Sequence, residues 1–237
     1  DEFVFLCGVI GKYSSNKSIQ IQVAYICEFW TTDPIREHEK LDGLWNAGIR
    51  HYPITGPVPD IFPKRKAVRS LTVFKPLFYD RIIKYVVEQI RRFKPLIVVG
   101  HDFFGEKSKH IMHILSSLVV KNAVNITNDY HVYPDLVNRY GLWDTPKTYI
   151  HSYGNEQTNL DLFVPIPSFG NMTGYQIVNQ SFYKHISQIK LGRYQVNIHG
   201  SLKCTSFGLY RSLVGPDIKR NDLFENIELN KVKDKTL

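Results

Sequence analysis

The stretch PLIVVGHDFFGEKSKHIMHILSSLVV, Pro95–Val120, decides the fold. LIVVG within it is a short, continuous apolar run of the kind found in parallel sheets covered on both faces. His101 and Asp102 follow immediately, and in open α/β sheets ligands bind just beyond the carboxyl ends of the strands. From Lys109 to Val124 the apolar residues return to helical periodicity, which sets His110 and His113 three apart in a first turn and on one face.

The flanking sequence repeats this alternation. LFYDRIIKYVVEQIRRFKP is amphipathic at helical spacing and is ended by Pro95. DPIREHEKLDGLWNAGI predicts another helix, with Asp33 as N-cap, Pro34 at the first helical position and Gly48 as stop. SIQIQVAYI alternates like a strand. Phe3, Phe5, Leu6, Val9, Ile10 and Tyr13 recur at helical spacing, predicting a helix that begins with the chain and holds Asp1 and Glu2 at its positive end. Further on, PKTYIH reads as a strand, GYQIVNQSFYKHISQI as a helix and TSFGLYRSLVG as a strand or hairpin arm. Helices and strands in alternation predict an α/β sheet with parallel crossovers. No repeat, low-complexity linker or break in composition marks a second domain.

At 237 residues with 43% hydrophobic content the chain can bury an ordinary core, which excludes disordered and fibrous classes. Thirty Lys and Arg against 22 Asp and Glu leave a net charge of +8, which favours anionic partners. The basic residues are scattered, however, and no nucleic-acid motif is present, so no nucleic-acid partner is expected. Cys7, Cys27 and Cys204 are odd in number and lack CxxC spacing, which predicts buried thiols rather than a disulfide framework or a cysteine-type zinc site. No apolar run reaches the length of a membrane span. The opening DEFVFLCGVIGKY lacks Met and a basic n-region, which predicts a chain that was processed or begins within a longer reading frame.

An HxxH pair such as His110 and His113 is an incomplete metal motif, because a catalytic zinc takes three protein ligands plus water. The segments together resemble the PIG-L or LmbE-like family of zinc-dependent de-N-acetylases, which act on N-acetylglucosamine-type sugars. DEFVFLCGVIGKY resembles the segment downstream of the family's early Ala-His-Pro-Asp-Asp-Glu motif, as though the chain started at the second Asp. REHEKLDGLWNAGIRHYPITGPVPD resembles its Arg-x-x-Glu helix and Pro-Asp loop, and IRRFKPLIVVGHDFFGE resembles the approach to its second motif, His-Pro-Asp-His. KCTSFGLYRSLVGPDIKRNDLFENI is similar to the end of a bacterial subgroup, so the likeness covers essentially the whole chain.

The resemblance implies a Rossmann-like three-layer α/β sandwich with a mostly parallel sheet. It implies one domain over residues 1–237, without its first strand and the start of its first metal motif, and with 142–237 as a family-specific extension. It implies Zn2+ bound by Asp1 and His113, with the motif's leading His and its general base lying before Asp1. His110 would stabilise the oxyanion and deliver a proton to the leaving amine, and Asp102 would orient a site histidine. Between the histidines this chain has Ile111 and Met112 in place of Pro-Asp. One residue is inserted before them, in the stretch Lys107–Lys109, so a register with His110 as the metal ligand is the alternative. Arg36 and Asp60 are implied as contacts to sugar hydroxyls or phosphate, against a helix pair of Arg36 with Glu39 and an ordinary turn at Asp60. Trp143, Tyr149 and Tyr210 form either a sugar-stacking wall or part of the core. The expected substrate is an amino-sugar conjugate of a secreted or surface-attached bacterial enzyme, with the cytoplasm as the alternative compartment, and the alternative function is a catalytically impaired, sugar-binding relative.

Overall fold

The computed structural model describes residues 2–28, 34–59, 71–106, 109–192, 195–200 and 203–228. In chain order its elements are α1 (Cys7–Tyr13), β1 (Cys27–Glu28), α2 (Pro34–Asn46), β2 (Val58–Pro59), α3 (Leu71–Phe93), β3 (Ile97–Gly100), α4 (Ile111–Ile126) and α5 (Pro134–Tyr140). There follow β4 (Lys147–His151), β5 (Gln157–Asn159), β6 (Pro165–Ile166), β7 (Met172–Thr173), α6 (Gly174–Phe182), α7 (Ile186–Ile189) and β8 (Ser206–Ser212).

Successive side chains of a strand point to opposite faces, and here each face has its own core. Val98 and Ile150 join Ile82, Val87, Leu115 and Val119 of α3 and α4. Ile97, Val99 and Tyr149 turn the other way, towards Val9 and Tyr13 of α1 and towards Phe207 and Leu223. A third cluster packs Ile10, Leu44 and Ile177, joining α1, α2 and α6.

The sheet differs from the expected, mostly parallel one. Its order is β3-β4-β8-β5, with β3 parallel to β4 and β8 antiparallel to both β4 and β5. The separate β1–β2 pair is parallel and the β6–β7 pair antiparallel. The fold is therefore α/β with a small mixed sheet. β4, β5 and β8 all come from residues beyond 142, so that segment supplies three of the four strands of this sheet.

Two local expectations are also corrected. Residues 2–6 form turns and α1 starts only at Cys7; Phe3 is buried in the α2–α6 core, and Phe5 packs against that core while also facing His113. SIQIQVAYI runs extended but makes only an isolated bridge, Ala24 to Ile54; the expected N-cap Asp33 lies outside the described residues. No described helix is long and apolar enough to cross a membrane.

Cys7 and Cys204 form a disulfide, contrary to the expectation of three buried thiols. Their separation of 197 residues hides the pairing in the sequence, whereas in the fold Gly8 N–H donates to Cys204 O at 3.0 Å. Cys27 is buried outside the bridge. Closing so long a loop constrains the unfolded chain, so Cys204→Ser is expected to lower unfolding free energy by about 2–4 kcal/mol. Denaturant titration of the oxidised protein beside the variant measures it, and an unchanged midpoint would show that the bridge contributes nothing.

Candidate metal centre

β3 and β4 run parallel with Gly100 opposite Ile150. His101, the residue after β3, and His151, the last of β4, therefore leave the sheet side by side at its carboxyl end. The chain then turns tightly towards α4. Gly105 takes φ 73°, and a Cβ on it would lie 2.7 Å from both the N and the O of His110. Glu106 follows at φ 55°, a left-handed conformation that costs a non-glycine residue about 1–2 kcal/mol. Reciprocal hydrogen bonds hold the turn: Asp102 N–H donates to Glu106 Oε1 at 3.2 Å, and Glu106 N–H donates to Asp102 Oδ2 at 3.1 Å.

The Glu106 carboxylate, wholly buried, meets three imidazoles. His113 Nδ1 lies 2.6 Å from Oε2, while His101 Nδ1 and His151 Nδ1 lie 3.2 and 3.3 Å from Oε1. The far nitrogen of His151 lies 3.2 Å from Lys203 O, beside the disulfide. His101 and His113 stack with centroids 4.3 Å apart and planes 14° from parallel. Phe5 presents its ring to His101, His113 and His151 at 5.3–6.2 Å, a hydrophobic wall over the cluster.

Burial shapes the charges. It tends to raise the Glu106 carboxyl, but the hydrogen bonds from His101, His113 and His151 outweigh it and hold that group far below the usual carboxylate range. Burial pushes His101 down to about 4, with Glu106 opposing. It pushes His110 to about 4 as well, reinforced by His113 and His101. The centre at neutral pH is thus an anionic carboxylate among imidazoles, and His110 and His101 stand neutral.

The structure brings together some of the residues expected from sequence. His113 lies in the first turn of α4, and His110 is the residue preceding that helix, its ring centroid 4.7 Å from that of His113. Asp102 adjoins them, but its carboxylate accepts from the Glu106 backbone; the carboxylate that meets the histidines is Glu106. Asp1 and Asp60 lie outside the described residues. Arg36 is half-buried in the first turn of α2, and Glu39 of that helix accepts from Ser187 N–H at 2.7 Å. Of the three aromatics, Tyr149 is buried with its hydroxyl on Asp217 and Trp143 donates to Pro95 O. Tyr210 instead packs with Phe103 and Tyr153, which follow the strand-end histidines His101 and His151 by two residues.

Glu106 and His151 were missed in the sequence, and His101 was noticed without a role. His151 also ends a strand, but that strand, KTYIH, is not a continuous apolar run and gave a weaker signal.

No family profile matches the sequence, and no curated protein does. Solved structures do match. The N,N'-diacetylchitobiose deacetylase from Pyrococcus horikoshii superposes with TM-score 0.52 at 14% identity, over 79% of this chain and 66% of that one. A deacetylase of the teicoplanin biosynthesis pathway superposes with TM-score 0.54 at 14% identity, over 81% and 82%.

The chain has the fold of LmbE/PIG-L-type deacetylases.

This chain spans about two thirds of the chitobiose enzyme's length. The fold does not fix one chemistry. GalB, the 4-carboxy-2-hydroxymuconate hydratase from Pseudomonas putida KT2440, superposes with TM-score 0.51 at 13% identity, over 92% of this chain and 95% of that one. Function rests on the site. Within the LmbE-type fold His101, Glu106 and His113 offer donor atoms all within 4.8 Å of one another. Imidazole nitrogens with a buried carboxylate beside them suit zinc, so the residues present fit that ion.

Proposed function

We propose that the chain is a zinc-dependent N-deacetylase that hydrolyses the acetamido group of an N-acetylglucosamine-type sugar conjugate. The buried group of His101, Glu106 and His113 at the carboxyl end of β3 carries this reading. Zinc would be held there by histidines of this cluster together with Asp1, the further ligand that the resemblance implies. When bound, it supplies Lewis acidity to the acetyl carbonyl and a water.

The remaining work falls to the chain. In amide hydrolysis water oxygen bonds to the acetyl carbon, the C–N bond breaks, and a water proton ends on the departing amine. The general base that the resemblance implies before Asp1 would take up that proton, and His110, in ring contact with His113, would stabilise the oxyanion and deliver the proton to the amine. Phe5 excludes water from one side of the imidazoles. Asp102 keeps the Glu106 turn closed. Arg36 and Asp60 are assigned to sugar hydroxyls or an anionic aglycone, which the charge of +8 also favours.

The test is acetate release from a panel of N-acetylglucosaminyl conjugates, using this chain and the same chain preceded by Ala-His-Pro-Asp. Expected is acetate in equal amount to free amine, stopped by a chelator and restored by zinc. Glycan binding that survives chelator, with no acetate from either protein, is the result of a sugar-binding relative and would overturn the proposal.

A further inference from the structure

Within the metal centre just proposed, on which this inference rests, we infer that Glu106 is a positioning residue and not a ligand: it fixes His101 and His113 as Nδ1–H tautomers and leaves Nε2 of each ring as the nitrogen that carries the lone pair.

Occupancy of the carboxylate points this way first. A carboxylate offers about four lone-pair positions. Glu106 Oε2 faces His113 Nδ1 at 2.6 Å, and Oε1 faces His101 Nδ1, the Asp102 N–H and His151 Nδ1 at 3.2–3.3 Å. Four nitrogens already surround the two oxygens. A cation bound to either oxygen would displace one of them and leave a buried polar group unsatisfied.

The direction of the rings agrees. In a neutral imidazole one nitrogen carries the proton and the other the lone pair. With Nδ1–H turned to Glu106, the lone pair is on Nε2, across the ring. The rings of His101 and His113 are stacked 4.3 Å apart and nearly parallel, and both turn Nδ1 to the same carboxylate. Each Nε2 therefore lies across its ring from Glu106. A carboxylate behind a metal-bound histidine is the usual means of fixing ring orientation and raising ligand basicity.

Glu106 is also held rigidly. Its left-handed backbone, the preceding Gly105 and the reciprocal bonds with Asp102 set its position from the main chain. Strained backbone persists only where the surroundings over-determine it, and such residues cluster at functional sites. A single rigid carboxylate thereby aligns a strand-end histidine with a helix histidine.

The test is long-range 1H–15N correlation spectroscopy of the full chain labelled with 15N-histidine, without metal at neutral pH, with zinc titrations of the wild type and Glu106→Gln. Expected are Nδ1–H tautomers at His101 and His113 in the wild type. Glu106→Gln should lose that uniform tautomer and bind zinc about 10–100-fold more weakly, the range for partners behind a ligand. Nε2–H tautomers in the wild type would overturn the inference, and that reading does not depend on the variant folding. So would a variant with unchanged affinity, or one that loses zinc entirely while both tautomers persist, the behaviour of a direct ligand. Correct tautomers and zinc binding with no acetate from any substrate would count against the deacetylase and leave the role of Glu106 standing.

Discussion

His113→Ala is expected to weaken zinc binding by more than about 100-fold, beyond the 10–100-fold typical of partners behind a ligand. His113 is buried in the first turn of α4, and its ring connects Glu106, His101, His110 and Phe5. Alanine removes a donor while leaving the helix anchored, because Leu115, Val119 and Ala123 carry its packing against α3. Calorimetric titration gives the affinity, and circular dichroism verifies that α4 is retained. Wild-type affinity in a folded variant would remove His113 from the centre.

Asp217→Ala is expected to cost about 3–5 kcal/mol of stability, the range for removing one partner of a buried ion pair. Asp217 pairs with Lys147, whose side chain is wholly buried at the start of β4, and also accepts from Tyr149 OH at 2.5 Å and Thr158 Oγ1 at 3.1 Å. Alanine leaves an ammonium and two hydroxyls in the core, and the ammonium's bond to Glu225 O at 2.9 Å supplies no compensating charge. The double variant Lys147→Met with Asp217→Ala should recover much of the loss, since the uncompensated charge is gone. Urea unfolding of the three proteins measures this. A loss below about 1 kcal/mol for Asp217→Ala would show that the pair is not the lock between β4 and the 217–225 segment.

How much of the fold was legible in the sequence depends on which signals are local. α2, α3, β3, α4 and β4 could be read because each is a run whose hydrophobic period and stop signals lie within it, such as Pro95 between α3 and β3. The helix expected from GYQIVNQSFYKHISQI divides into α6 and α7, with Ser181 Oγ donating back to Ile177 O and His185 preceding α7. The sheet was misjudged because strand direction is set by long-range pairing: nothing inside TSFGLYRSLVG shows that β8 returns antiparallel between β4 and β5. Phe3 and Phe5 fit a helical period yet pack against the α2–α6 core from turns, Phe5 also facing His113, so the period extended α1 too far towards the amino end.

The site divides in the same way. His110 and His113 were visible as a spacing, and His101 and Asp102 as a strand end. Glu106 lies in an irregular loop with no period, and its importance comes from three histidines that only the fold assembles, one of them 45 residues further on. The Cys7–Cys204 bridge was hidden for the same reason.

X-ray absorption at the zinc edge of the zinc-loaded chain tests the central claim most directly. The expected result is one tightly retained zinc whose nearest ligands include two imidazole nitrogens at about 2.0–2.1 Å, reduced to one in His113→Ala. A chain that retains no zinc, or a zinc without imidazole among its ligands, would contradict it.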